Sequence, residues 1–189
     1  MNKSVKITYF VHGTTTDNEQ GIATGWSPGE LSGRGKEQSI KLKELIKGKK
    51  FDVVFCSDLK RAIDSAKLTF GNSIPIIQDK RLRECNYGDL NGGDSELVES
   101  MTLKCIEKPF PNGESYKDVE KRIREFLKNL LEKYAGKNVA IVSHRGPQLA
   151  LDVIIKGINW EQAIAEDWRA KKEWKPGWDY KLTEKVVSV

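Results

Sequence analysis

The chain has 189 residues, of which 38% are hydrophobic and 31% charged, with 16 Gly and 6 Pro. This length suits a single domain over 1–189, and the composition excludes disordered, collagen-like and low-complexity classes. Apolar runs such as 139–142 are far shorter than the roughly 20 residues of a membrane-spanning helix, and 1–11 lacks the pattern of a secretory signal. We therefore expect a cytoplasmic protein without a membrane partner.

The net charge of +5 favours anionic partners only weakly. Lysines alternate with glutamates along amphipathic segments, and no stripe of basic and aromatic residues is present, so we expect no nucleic-acid partner. The cysteines, Cys56, Cys85 and Cys105, are irregularly spaced. This spacing favours reduced structural thiols over disulfides or a CxxC site. The oligomeric state stays open, with a homodimer as one alternative.

Short apolar runs alternate with segments of helical period, which predicts an α/β fold with a parallel sheet between helices on both faces. In chain order, the predicted strands are 5–11, 52–56, 74–77, 139–143 and, as a possible last strand, 185–189. The predicted helices are 36–47, 59–70, 116–134 with Ser115 as its N-cap, and 147–156. Residues 87–113, with several Gly and two Pro, predict an ordered insertion or lid, and 158–189 form a Trp-rich C-terminal segment.

The two histidines of the chain each follow a predicted strand directly: His12 follows 5–11 and His144 follows 139–143. Ligands of an open parallel sheet bind at the carboxyl ends of the strands, so we expect both imidazoles at one site. Each histidine is followed within two positions by a glycine, which would let a substrate approach the backbone. A single histidine is more often structural than catalytic, but this pairing favours a catalytic site.

Two further strand ends supply charged groups. Arg61 lies about one turn into the helix after the strand 52–56, where it could clamp a phosphate or pair with Asp58 or Asp64. Glu84 follows a later predicted strand among several cations, where it could donate a proton or form an ion pair. Two imidazoles, a guanidinium and a carboxylate at one sheet edge would suit phosphoryl transfer. The sequence lacks the ligand spacing of a metal hydrolase, the GxxxxGK[ST] loop of a nucleotide triphosphatase and the GxSxG elbow of a serine hydrolase. It therefore gives weak support to these three classes of enzyme.

These residues lie in segments that resemble the histidine phosphatase superfamily, also called the phosphoglycerate mutase-like family, from about 7 to 157. The segments occur in the order that the family has them: HGTTTDN at 12–18, TGW at 24–26, LSGRG at 31–35, SDLKRA at 57–62, LRECNYGDLNG at 82–92, PNGES at 111–115 and VSH at 142–144. One such segment would be a weak signal, but the common order is specific. The resemblance implies a three-layer α/β/α sandwich that uses no cofactor and no metal.

By the same resemblance, His12 becomes a covalent phosphohistidine, and Glu84 acts as the general acid and then as the base for water. Arg61 and His144 are implied to line the phosphate pocket. The implied substrate-binding positions are Asn18, Thr24, Gly25 and Tyr87. Surrounding cations would keep His12 unprotonated and nucleophilic near neutral pH, whereas a facing phosphate would favour the acid form of Glu84.

The chain departs from the family pattern at two positions. The arginine that precedes the first histidine in the family is Val11 here, and the glycine that commonly follows the second histidine is Arg145. Because adjacent strand ends bring these positions close together, we expect Arg145 to reach the phosphate and to replace the missing guanidinium. The alternative is that Arg145 points to solvent and that the site is weakened.

We predict that the protein is a phosphomonoester hydrolase whose ligand is a small-molecule phosphate ester or inorganic phosphate. Mutases of the family are generally longer than this chain, but residues 84–90 resemble a mutase locally. Phosphoryl transfer of the mutase type therefore stays an alternative. A phosphate-binding protein with weakened catalysis is a second alternative. Substrate choice would depend on 87–113 and on the C-terminal segment. Its candidate residues are Trp160, Trp168, Arg169, Lys171, Lys172, Trp174 and Trp178. The tryptophans would equally suit an anchor on the core.

Overall fold

A computed structural model describes residues 3–169 and 177–187 of the chain. Its main sheet has five strands in the order β4-β3-β6-β1-β7. These strands are β1 (Ser4–Val11), β3 (Val53–Cys56), β4 (Ile76–Gln78), β6 (Asn138–Ser143) and β7 (Trp178–Thr183). All pairings are parallel except that of β7, which runs antiparallel to β1. A small second sheet pairs β2 (Ile22–Ala23) with β5 (Gly93–Asp94).

Helices fill the connections between the strands. They are α1 (Thr16–Glu19), α2 (Gly33–Leu45), α3 (Lys60–Phe70), α4 (Ser95–Met101), α5 (Tyr116–Tyr134), α6 (Arg145–Leu151), α7 (Trp160–Ala165) and α8 (Glu184–Val187). A π-helical turn, Asp152–Lys156, continues α6, and short 3₁₀ turns span Lys80–Leu82 and Gly88–Leu90. Within residues 3–169 and 177–187, none of the helices has the length and apolar character needed to cross a membrane.

Alternate side chains of the central strands point to opposite faces of the sheet, where different helices cover them. On one face, Tyr9 and Ile141 pack in the larger core with residues of α5 and α6. On the other face, Phe10 and Val142 pack with residues of α2 and α3. The predicted α/β class with helices on both faces of a mainly parallel sheet is therefore confirmed.

Helix α5 has the bounds that its periodicity predicts, Tyr116–Tyr134. The Ser115 side chain accepts a hydrogen bond from the Asp118 backbone N–H, and the Asp118 carboxylate accepts one from the Ser115 N–H. This reciprocal capping box satisfies two backbone donors that the first helical turn leaves without partners. The predicted N-cap is confirmed, and the helix presents a buried stripe that includes Val119, Ile123 and Phe126 to the sheet.

The predicted C-terminal strand at 185–189 is wrong. The strand lies earlier, at Trp178–Thr183, where Trp178, Tyr180 and Leu182 are buried and the residues between them are exposed. This alternation is typical of a half-buried strand, whereas the prediction followed a short β-branched run. The chain from Glu184 to Val187 is helical, and 188–189 lie outside the described residues.

Other boundaries shift by a few residues. The strand predicted at 74–77 is Ile76–Gln78, and the helix predicted at 36–47 is Gly33–Leu45, capped by the Ser32 side chain. The helix predicted at 147–156 begins at Arg145 and ends in the π turn. Periodicity does not detect these first turns, because helix ends depend on capping contacts more than on the apolar pattern.

Residues 87–113, predicted as an insertion or lid, contain β5 and α4 and pack onto the larger core. Tyr87 and Phe110 are buried with their ring centroids 5.1 Å apart, and Cys105 and Val98 are buried nearby in the same cluster. The segment therefore forms an ordered wall beside the carboxyl end of the sheet.

Candidate active site

The register of β1 on β6 brings the two histidines together. Val11 lies opposite Ser143 in this parallel pair, so His12 and His144 come next at the same level. Their ring centroids are 5.0 Å apart, and the His12 backbone N–H donates to the Ser143 carbonyl at 3.0 Å. The predicted meeting of two imidazoles that are remote in sequence is confirmed.

A cleft of about 460 Å³ opens at this edge of the sheet. The predicted site residues in its wall are His12, Asn18, Thr24, Gly25, Arg61, Glu84, Tyr87 and Arg145. His144 is the exception, because its side chain is fully buried beside His12 and does not form part of the wall. The structure thus assembles the predicted set around one cleft, with one imidazole on its surface and one beneath it.

The hydrogen bonds of His12 define which ring nitrogen carries the proton. Nδ1 lies 2.7 Å from the Gly13 carbonyl oxygen, which can only accept, so Nδ1 carries the proton. Nε2 therefore holds a lone pair, and the Arg61 Nε–H donates to it at 3.3 Å. Burial, with the charge of Arg61, lowers the pKa of His12 to about 3. The imidazole is consequently neutral at physiological pH.

His144 is held by its backbone rather than by its ring. The Tyr9 hydroxyl donates to the His144 carbonyl at 2.7 Å and accepts from the His144 N–H at 3.1 Å. Burial, with the charge of Arg61 and the neighbouring His12, lowers the pKa of His144 well below its usual value. Neither ring nitrogen has a hydrogen-bond partner within the described part of the chain.

Arg61 lies in the first turn of α3 and is 2% exposed. Its Nη2 donates to the Gly25 carbonyl at 2.7 Å and its Nη1 to the Ser27 carbonyl at 3.3 Å, so the guanidinium spans from the 25–27 loop to His12. The alternative pairing with Asp58 or Asp64 does not form: Asp58 binds Arg83, and Asp64 binds Lys60. Arg61 is thus a buried cation beside Nε2 of His12.

The Glu84 carboxylate is held by backbone N–H groups. Oε1 accepts from Cys85 at 2.8 Å and from Gly146 at 2.9 Å, while Oε2 accepts from Arg145 at 3.1 Å. Two of these donors belong to the first turn of α6, directly after His144. Among the ion pairs of residues 3–169 and 177–187, none includes Glu84, so the predicted alternative of an ion-pair member is wrong.

The glycines after the two histidines accommodate protein groups rather than a substrate. A Cβ added at Gly146 would lie 2.5 Å from Glu84 Oε1, and one added at Gly13 would lie 2.3 Å from the Gly35 carbonyl oxygen. Both contacts are too close for any side chain. The expectation that these glycines let a substrate reach the backbone is therefore corrected: Gly146 makes room for the carboxylate, and Gly13 makes room for α2.

The other predicted substrate positions lie around the same cleft. Asn18 belongs to the capping box of α1, where its side-chain oxygen accepts from the Thr15 N–H at 3.1 Å. Thr24 is buried, and its hydroxyl has no partner among the described residues. Gly25 has a φ of +52°, which glycine adopts readily, and its carbonyl receives Arg61. Burial raises the pKa of Tyr87 well above its usual value.

Arg145 does not point to solvent, since its side chain is only 6% exposed. Its Nε forms an ion pair with the buried carboxylate of Asp167, and its Nη2 donates to Glu99 of α4 at 3.0 Å. Arg169 also binds Glu99, at 3.0 Å. The guanidinium is thereby fixed in the wall of the cleft, and the alternative of a solvent-facing Arg145 is wrong.

The tryptophans of the C-terminal segment divide between the two expected roles. Trp160 and Trp178 are buried in the larger core, which fits an anchor. Trp168 packs on Trp178, with ring centroids 5.9 Å apart, and also lines the cleft beside Arg169. Lys171, Lys172 and Trp174 lie outside the described residues.

Sequence reasoning missed several residues of the cleft and its support. The wall also contains Thr14, Arg34, Gln38, Ser95, Val98 and Glu99. Arg122 of α5 lies behind Glu84 and donates to the Glu84 carbonyl at 2.9 Å. Along α5 nothing distinguishes Arg122 from Arg124, so no signal in the sequence could have selected it.

Within the described ranges, no group of three or more His, Cys, Asp or Glu side chains is arranged to hold a metal ion. The three cysteines are buried free thiols, in agreement with a structural role. Burial raises the pKa of each of them, and that of Cys56 reaches about 12.

A mainly parallel sheet with paired histidines at its carboxyl end, and with an arginine and a glutamate in the same cleft, has the groups that phosphoryl transfer requires. Residues 9–169 match the histidine phosphatase superfamily (branch 1), and the chain belongs to this superfamily.

Similar proteins include both phosphatases and mutases. The chain is 31% identical to adenosylcobalamin/alpha-ribazole phosphatase of Escherichia coli K12 over 144 residues. This match covers 71% of each of the two chains. It is 32% identical over 171 residues to a 2,3-bisphosphoglycerate-dependent phosphoglycerate mutase of Cytophaga hutchinsonii, covering 82% of this chain and 79% of the mutase. The VO3 complex of a mycobacterial glucosyl-3-phosphoglycerate phosphatase has a TM-score of 0.74 at 26% identity, covering 85% and 86% of the two chains. These relatives support phosphatase or phosphoryl-transfer activity in general.

Proposed function

We propose that this protein is a metal-independent phosphomonoester hydrolase that acts on a small phosphorylated metabolite through a phosphohistidine at His12. The observation that carries the proposal is the state of His12: its Nδ1 proton is fixed on the Gly13 carbonyl, and its Nε2 lone pair lies in the cleft wall beside Arg61. A neutral imidazole with one oriented lone pair is the form that attacks phosphorus.

Unsatisfied polar groups next to His12 support an anionic ligand. The ring nitrogens of His144 and the hydroxyl of Thr24 are buried and lack partners within the described residues. Buried polar groups in native structures nearly always have hydrogen-bond partners, and those without one need an explanation. The oxygens of a phosphoryl group seated beside His12 and Arg61 would be acceptors for the Thr24 hydroxyl in the cleft wall and for the N–H of the neutral His144 ring, which lies beneath His12.

The reaction would proceed in two displacements. In the first, the Nε2 lone pair forms a bond to phosphorus, the ester P–O bond breaks, and the leaving oxygen takes a proton from Glu84. In the second, Glu84 accepts a proton from water, the water oxygen bonds to phosphorus, and the N–P electron pair returns to Nε2. Arg61 shifts its Nε–H from His12 to a phosphoryl oxygen and stabilises the charge that develops there.

A screen of phosphate esters with trapping of the phosphoenzyme tests this proposal. The purified protein is incubated with a panel of sugar, amino-acid and nucleoside monophosphates, and inorganic phosphate, phosphorylated products and an acid-labile phosphoprotein are measured. Release of inorganic phosphate together with the labile phosphoprotein is expected. Transfer of the group to a second hydroxyl would instead identify a mutase, and no turnover of any ester would favour a phosphate-binding protein.

Arg145 is the proposed substitute for the arginine that the family has at position 11. Its Nε and Nη2 are held by Asp167 and Glu99, whereas no hydrogen bond of Nη1 is found within the described residues. Because Arg145 lines the cleft, Nη1 is available to a phosphoryl oxygen or to the leaving group. A hydrogen bond to a charged group contributes about 1.5–3 kcal/mol, which is about 10- to 100-fold in affinity or rate.

Replacing Arg145 by glycine is therefore expected to lower kcat/KM for a phosphomonoester about 10- to 100-fold. Since Arg145→Gly alone would leave the Asp167 carboxylate buried without its cation, the kinetics are measured in the Arg145→Gly/Asp167→Asn pair, with Asp167→Asn as control. Adding Val11→Arg to that pair should restore part of the rate. The substitution hypothesis is wrong if the Arg145→Gly/Asp167→Asn pair turns over the ester as fast as Asp167→Asn alone, while Val11→Arg in the wild type raises turnover strongly.

A further inference from the structure

We propose that Arg122 is a positioning residue for the general acid: it holds the main chain of the Glu84 segment so that the carboxyl group reaches the leaving oxygen. This inference rests on the proposed function, because it assigns Arg122 a part in the protonation step. Arg122 does not line the cleft and is 14% exposed, so it would act only through Glu84.

All five N–H donors of the Arg122 guanidinium are used. Nη1 donates to the carbonyls of Arg81 and Arg83, at 2.6 and 2.7 Å, and Nη2 donates to that of Glu84 at 2.9 Å. The remaining donors, one on Nε and one on Nη2, bind the two carboxylate oxygens of Glu114 at 2.9 and 3.0 Å. A guanidinium has five donors in a planar fork, and no other side chain could make this set of contacts.

The contacts join three separate parts of the chain. Arg122 lies on the long helix α5, and the carbonyls it binds belong to Arg81 in the 3₁₀ turn 80–82, to Arg83 and to Glu84. Glu114 adds a further contact to the same segment, because its Oε2 accepts from the Asn86 N–H at 2.9 Å. The catalytic segment, which has no regular structure at 83–87, is thereby tied to a rigid helix.

The opposite side of Glu84 is fixed as well. The Trp26 indole Nε1–H donates to the same Glu84 carbonyl at 2.7 Å, and the carboxylate accepts three backbone N–H groups. With its backbone and side chain both held, Glu84 has little freedom to approach a leaving group that is misplaced. General acids work within hydrogen-bond reach of the oxygen that they protonate, and an error of about 1 Å costs about 10²-fold in rate.

The dependence of the rate on the leaving group distinguishes a positioning role from a merely structural one. An alkyl alkoxide is a poor leaving group and needs its proton from Glu84, whereas p-nitrophenolate leaves without protonation. Arg122→Gln is therefore expected to lower kcat/KM for an alkyl phosphate about 10- to 100-fold, and to keep kcat/KM for p-nitrophenyl phosphate within about threefold of the wild type. Glu84→Gln, which removes the acid itself, provides the reference pattern.

Arg124→Gln is the matched control. Arg124 lies two residues further along α5 and binds Glu120 through Nε and Nη2, at 3.0 and 2.8 Å, and among residues 3–169 and 177–187 it makes no hydrogen bond or ion pair with the Glu84 segment. Its substitution removes the same charge from the same helix and should leave the ratio of the two kcat/KM values unchanged. Arg122→Lys keeps the positive charge but not the five donors of the planar guanidinium, so the ratio of the two kcat/KM values should be intermediate. This variant replaces Arg122→Gln in the test if the glutamine variant does not fold.

The proposal is overturned if the Arg122 variants lose rate equally on both esters or lose none. A wild-type protein that turns over no phosphate ester would instead refute the proposed function, and the inference with it. If the wild type is active and the Arg122 variants have the same ratio of kcat/KM for the alkyl phosphate to kcat/KM for p-nitrophenyl phosphate as the wild type, only the positioning role is refuted.

Discussion

Replacing His12 by alanine is expected to reduce the turnover of every phosphate ester by about 10⁴-fold or more, because the group that forms the covalent bond is lost. Within the described residues, the imidazole hydrogen-bonds to the Gly13 carbonyl and Arg61 and its ring packs on that of His144, so a circular dichroism spectrum of His12→Ala accompanies the kinetics as a check of folding. The measurement combines steady-state kinetics with the amount of phosphate that is bound to the protein after a rapid quench.

The covalent intermediate should respond to His12 and Glu84 in opposite directions. His12→Ala is expected to abolish the acid-labile phosphoprotein. Glu84→Gln is expected to accumulate it from p-nitrophenyl phosphate, because this substrate phosphorylates His12 without an acid but water then lacks its base. Equal turnover in His12→Ala and wild type, or labelling that survives in His12→Ala, would contradict the assignment of the nucleophile.

The second large effect is expected at Arg61. Arg61→Met removes a buried donor from the phosphoryl site, and the loss of one preorganised donor costs about 10²–10³-fold in rate. The same substitution is expected to change how kcat/KM depends on pH. Burial and the charge of Arg61 together lower the pKa of His12 to about 3, so removing the charge raises this pKa towards the usual value.

The sign of the pH effect follows from the form of His12 that reacts. Neutral His12 attacks and protonated His12 cannot, so kcat/KM falls as the pH drops through the pKa of His12 in the free enzyme. In Arg61→Met this fall should begin at a higher pH than in the wild type. Arg61→Lys, which keeps a cation near His12, should lose rate without this shift, provided that circular dichroism shows both variants folded over the pH range. If kcat/KM of Arg61→Met falls at the same acidic pH as that of the wild type, Arg61 does not lower the pKa of His12 through its charge.

The cleft holds a second group of paired charges beside the candidate active site. His12, Arg61 and Glu84 lie at the carboxyl end of the sheet, while Glu99 and Arg169 form an ion pair in the wall of the same cleft. Arg145 links the two regions, since its backbone N–H binds Glu84 and its guanidinium binds Glu99. Replacing the Arg145 side chain would therefore remove the contact with Glu99 of α4 and keep the backbone N–H that Glu84 accepts.

Structural elements with local signals could be predicted from the amino-acid sequence alone. Helix α5 follows from apolar residues at helical spacing and from a capping box within four residues, Ser115 to Asp118. The meeting of His12 and His144 follows from a general rule, because parallel strands end at one edge of the sheet. The motifs that resemble the family are likewise contiguous, so a single sequence was enough to recognise them.

The partners of the isolated charged side chains, by contrast, depend on how the chain packs in three dimensions. The carboxylates that bind Arg145 come from Glu99 and Asp167, and the carbonyls that bind Arg122 lie about forty positions earlier in the chain. An arginine has the same appearance in the sequence whether it faces solvent or satisfies five acceptors. The difference arises from packing, since burial makes unpaired charges costly and so selects the one arrangement in which remote groups neutralise each other.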